Sequence, residues 1–102
     1  MKYQLVLQFR ASTTKDFDRL IALEESLLAG LDKSATIDGH DFGSGEFNLF
    51  ILTNNPVVTF GEVRELAANK FPQEEMRSAY RALGNDHYVI LWPPGLKIFT
   101  VT

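Results

Sequence analysis

The hydrophobic patterning predicts an α+β protein: an antiparallel sheet with its helices packed on one face. Three observations predict it. A strand of period two opens the chain, two stretches of three- and four-residue periodicity follow, and a glycine-rich hairpin lies between strand-like runs. With 102 residues the chain is expected to be one domain spanning 1–102, with no room for a second.

Tyr3, Leu5, Leu7 and Phe9 alternate with Gln4, Val6 and Gln8, the pattern of a strand with one buried face. Ser12, Thr13 and Thr14 then offer helix caps, and Thr13 with Asp16 has capping-box-like spacing. The helix follows as Phe17, Leu20, Ile21, Leu27, Leu28 and Leu31, with Glu24 and Glu25 read on its solvent side and Gly30 as its terminator. Ala35–Phe42 and Glu46–Thr53 read as strands joined across Gly43-Ser44-Gly45, where glycine supplies positive φ for a tight hairpin.

Asn55-Pro56 reads as a cap with a first-turn proline, and Thr59 with Glu62 as a second cap. Phe60, Val63, Leu66 and Ala67 give the second helix its apolar side, and Phe71-Pro72 is expected to break it. A short third helix is expected to carry Met76, Tyr80 and Leu83. Tyr88–Trp92 reads as a strand, Pro93-Pro94-Gly95 as a turn, and Ile98–Val101 as a last edge strand.

Apart from the short helix and the last strand, this order resembles the ferredoxin-like split β-α-β arrangement, in which both helices cover one face and the other lies open. Asp38-Gly39-His40-Asp41-Phe42-Gly43-Ser44-Gly45-Glu46 and Leu91-Trp92-Pro93 carry a general resemblance to small uncharacterised bacterial proteins of this topology. The resemblance implies a fold and no activity.

Composition removes several function classes. The chain has no cysteine, which excludes disulfides, thiolate zinc sites and thiol nucleophiles and fits a reducing, cytoplasmic setting. No apolar run approaches the roughly 20 residues needed to cross a bilayer, so no membrane role is expected. Between Asp16 and Glu46 eight acids face two bases, and that imbalance makes nucleic acid an unsuitable partner. Arg64, Lys70, Arg77 and Arg81 are read as solvated helical positions. Phosphate-binding glycine loops, dinucleotide fingerprints and metalloprotease motifs are missing, and neither a cofactor nor a metal is expected.

Three places remain where function could sit. The open sheet face would show Gln4, Val6, Gln8, Glu46, Asn48, Phe50 and Leu52, a mixture of amides and aromatics. A dimer or partner interface leads there, followed by self-coverage from the Pro93-Pro94-Gly95 turn or the C-terminus, then a ligand cavity. The hairpin holds Asp38, His40, Asp41 and Glu46. A carboxylate could orient the imidazole, yet His40 and Asp41 are adjacent and a regular strand points them to opposite faces unless a bulge intervenes. The bland reading makes these residues turn and bulge formers on a charged edge. His87 reads as a turn residue or a second base, and Trp92 as a hairpin lock or a stacking wall.

The leading expectation is a small non-enzymatic, immunity- or regulator-like module. It would dock a basic protein through Asp38, His40, Asp41, Glu46, Asn48, Phe50 and Trp92, or form a homodimer through the open face. The alternative is a cofactor-free enzyme or small-ligand binder of the dimeric α/β-barrel type. Its base would be His40 or His87, its orienting acid Asp41 or Glu46, and its pocket wall Tyr88 or Trp92.

Overall fold

A computed structural model describes residues 1–31, 33, 35–67 and 76–101. Its elements are β1 (Tyr3–Arg10), α1 (Thr14–Gly30), β2 (Ala35–Gly43), β3 (Glu46–Thr53), α2 (Pro56–Ala67), β4 (Met76–Ala82) and β5 (Val89–Trp92). The sheet runs β2-β3-β1-β4-β5, with every neighbouring pair antiparallel. The first four strands therefore make the ferredoxin-like α+β arrangement, and β5 extends it beyond β4.

The β1–β3 register, from Tyr3 opposite Thr53 to Arg10 opposite Glu46, aligns the two alternating patterns. Leu5, Leu7 and Phe9 thus share a face with Phe47, Leu49 and Ile51. That face buries Leu20, Leu23 and Leu27 of α1 and Phe60, Val63 and Ala67 of α2. Each fully buried aliphatic side chain contributes about 1.5–3 kcal/mol, so this layer dominates stability.

The caps follow their local chemistry. Thr13 Oγ1 accepts the Asp16 N–H at 3.1 Å, and Asp16 returns a bond to the Ser12 N–H at 3.2 Å, one residue earlier than a capping box requires. These bonds, the Ser12 N–H foremost, hold the Asp16 carboxyl below its ordinary value. Asn55 caps α2 by accepting the Val58 N–H at 3.2 Å. Thr59 lies inside α2 rather than at its start, and its hydroxyl meets that of Thr53 at 2.7 Å. Gly30 ends α1 without a left-handed residue. A Cβ there would stand 2.8 Å from a terminal methyl of Leu66 on α2, which would have to shift to admit it.

Two element assignments are corrected. Met76–Ala82 is a strand against β1, not a short helix, and Arg77 and Arg81 lie on it. A spacing of four, Met76 to Tyr80, suits one face of a helix and one face of a strand alike. Pairing decides the matter, because without β4 the second edge of buried β1 would keep unsatisfied backbone groups. Ile98–Val101 forms no strand and instead crosses the sheet. Lys70 and the Phe71-Pro72 break lie outside the described residues.

Candidate functional site

The face turned away from the helices carries Gln4, Val6 and Gln8 beside Glu46, Asn48, Phe50 and Leu52, with Arg77, Ala79 and Arg81 completing it on β4. The first two sets are those expected. This face is not free, however. After β5 the chain turns at Pro93, whose carbonyl accepts the Leu96 N–H at 3.2 Å, while Gly95 takes φ 86°. The following segment lays Leu96, Phe99 and Val101 over Val6, Ala79, Phe50, Tyr88 and Ile90. Phe99 is only 8% exposed, and its ring lies 5.2 Å from that of Tyr88. Of the three readings of this face, self-coverage is the one observed, and the expectation of a face left open to a second copy is corrected to that extent.

Polar groups under the segment are satisfied. The Gln8 Nε2 donates to Asn48 Oδ1 at 3.0 Å and to the Thr100 carbonyl at 2.8 Å, so two buried amides and a loop carbonyl share one network. Arg77 Nη2 bonds Glu46 Oε2 at 2.8 Å, and Arg81 Nε bonds Gln4 Oε1 at 3.0 Å. Glu46 therefore balances Arg77 rather than adding to an acidic surface.

The β2 edge is different in kind. A register shift between Ile37 and Gly39 inserts Asp38 as a bulge, and Gly39 takes φ 122° to allow it. The bulge changes the parity of every following residue. His40 consequently opposes Leu49 and turns toward α1, while Asp41 opposes Asn48 and turns the other way. The two are not brought together. Instead Glu24 of α1 meets His40 Nδ1 at 3.0 Å, with 16% and 32% of the respective side chains exposed. The sequence reads both Glu24 and Glu25 on the solvent side; Glu25 is exposed and Glu24 is half-buried.

The imidazole stacks on Phe47 at 5.0 Å and 15°, and Phe17 meets Phe42 edge-on at 5.0 Å. Phe42 is 40% exposed although it belongs to this aromatic group. Phe17 and Phe42, with Ser12, Thr13 and Thr14 at the start of α1, line a concavity of about 370 Å³. Asp38 and Asp41 are exposed on the same strand, with Asp41 on the face turned away from α1.

The remaining predicted residues lie elsewhere. His87 is exposed in the β4–β5 loop, where its N–H donates to Asn85 Oδ1 at 2.8 Å. Trp92 packs on the helix-side core with the Arg64 guanidinium 4.3 Å above its ring, which makes it a lock for the end of β5. No three acidic or histidine side chains among the described residues converge to hold a metal ion. Sequence reasoning missed Glu24, Phe17 and Phe99. One signal existed: Glu24 follows Phe17 by seven residues, two helical turns, and so shares its stripe.

No helix among the described residues is long and apolar enough to cross a membrane. No protein-family model and no curated protein sequence matches the chain.

Proposed function

We propose that this chain is a small non-enzymatic docking protein, immunity- or regulator-like, which recognises a basic protein partner along β2 and the adjoining start of α1. One observation carries the reading: Phe42, half out of the core, lines with Phe17 a 370 Å³ concavity at an edge strand that also exposes Asp38 and Asp41. An aromatic anchor at a concavity concentrates binding energy in protein interfaces, and exposed charge on the same strand steers encounter. The bulge and the acids obstruct strand addition, so side chains rather than backbone pairing would supply recognition. The bacterial, cytoplasmic setting belongs to this reading, and the cysteine-free composition fits it.

The test is an NMR titration with the peptide acetyl-Lys-Lys-Leu-Lys-Lys-amide at low and high ionic strength. Saturable shifts at Thr13, Phe17, Asp38, Asp41 and Phe42, weakened by salt and by Phe42→Ala or Asp38→Lys with Asp41→Lys, are expected. Shifts elsewhere, or none, would refute the reading. Glu46 is left unchanged in these variants because reversing it would strand Arg77.

A second reading rests on the His40–Glu24 pair beside the same concavity, where a carboxylate orients an imidazole as in proton-transfer sites. This is the cofactor-free enzyme or small-ligand alternative, without the barrel dimer, whose meeting faces the C-terminal segment occupies. Neutral aromatic fragments shifting the His40 ring resonances, with the cationic peptide inert, would favour it.

A further inference from the structure

We propose that the open-face groove is a peptide site, filled in cis by residues 96–101 and open in trans to the same segment of a second copy, so that two chains associate by exchanging these segments. The proposal is independent of the β2 edge. Three observations carry it.

The segment is held as a groove holds a peptide. None of residues 96–101 belongs to a strand; Leu96, Phe99 and Val101 point inward, and the Gln8 amide takes the Thr100 carbonyl at 2.8 Å. The floor beneath is unlike a permanent core. Gln8 and Asn48 are buried at its centre, where apolar residues would avoid the desolvation of two amides, and Gln8 Nε2 is placed to read a main-chain carbonyl. The connection also favours transfer. Pro93 and Pro94 carry no N–H to bind into the sheet, so only the Gly95 turn, closed by the Leu96 N–H on the Pro93 carbonyl, has to open for the segment to leave its own sheet.

The occupant is fixed by the fit already present: the chain's own Leu-x-x-Phe-x-Val sequence fills the groove, and every second copy carries it. Exchange replaces each internal contact by the identical external one, a low-cost route to a closed twofold dimer. The tether gives the internal segment an effective concentration on the order of millimolar, so the unaltered chain stays monomeric at micromolar concentration.

The experiment removes the turn. With Pro94 and Gly95 deleted, the segment can no longer reverse onto its own sheet. Light scattering should then show a twofold mass at micromolar concentration, returning to monomer when Phe99→Ala is added. A folded monomer, or a dimer indifferent to Phe99→Ala, would overturn the proposal. Should the shortened chain fail to fold, the full chain is titrated with the synthetic peptide Leu96–Thr102. About half of the cis segments should be displaced near millimolar peptide, read as saturable shifts of the Gln8 and Asn48 side-chain amides. No shift, or the same shift from a peptide with Phe99→Ala, would equally overturn it.

Discussion

The two faces of one sheet are closed by different means. Toward the helices, Leu5, Leu7, Phe47, Leu49 and Ile51 meet two regular elements, and the layer is apolar but for Ser78 and the Thr53–Thr59 hydroxyl pair. On the other side, Val6 and Ala79 are closed by an irregular segment anchored on Phe99, above a floor of bonded amides. A regular element distributes its burial over many positions at helical spacing, whereas an irregular cover concentrates it in one ring and one hydrogen bond. The first face should therefore fail only with the fold, and the second should open locally before it.

That contrast can be broken by measurement. On the helix side, Leu20→Ala and Leu27→Ala should each cost about 2–5 kcal/mol in urea titration, with the transition still cooperative. On the other side, Phe99→Ala should cost about 2 kcal/mol, the burial of one aromatic. It should also raise amide exchange at Val6 and Ala79 while leaving Leu49 protected. Equal protection loss on both faces would erase the distinction. Gln8→Leu should cost about 1–3 kcal/mol, because Asn48 and the Thr100 carbonyl lose their donor; a neutral result would show that water replaces it.

The smallest expected effect lies at the α1 cap. The Asp16 carboxyl is held low by the Ser12 and Thr13 N–H groups and the Thr13 hydroxyl. A depressed folded value means stability that is present above the unfolded pKa and lost as the pH falls through the folded one. Asp16→Asn should therefore shift the urea midpoint at neutral pH and leave it unchanged in strong acid. An equal shift at both would rule out the charge as the cause.

Much of the fold was legible because local and tertiary signals agree. The alternation of β1 and β3 survives as their register, Ser44 and Gly45 take the positive φ of a two-residue hairpin loop, and Asn55 caps α2 as its position before Pro56 suggested. The failures have one shared cause, which is that parity is a long-range property. Met76 and Tyr80 suit helix and strand equally until β1 claims them. One bulged residue, Asp38, decides that His40 meets Glu24 instead of Asp41. Ile98–Val101 has strand composition, yet Phe99 is drawn to the gap over Val6. The acidic stretch forms the hairpin its glycines suggest, while its division into Glu46 paired with Arg77, His40 paired with Glu24, and exposed Asp38 and Asp41 needed three dimensions.

The open face is closed by its own chain, and β2 is the edge proposed for a partner. An isotope-filtered nuclear Overhauser experiment on mixed labelled and unlabelled protein at micromolar concentration tests this most directly. Contacts from the Phe99 ring to the Val6 and Ala79 methyl groups should appear within one chain and be absent between chains. Intermolecular contacts under those conditions, or no contact at all, would contradict it.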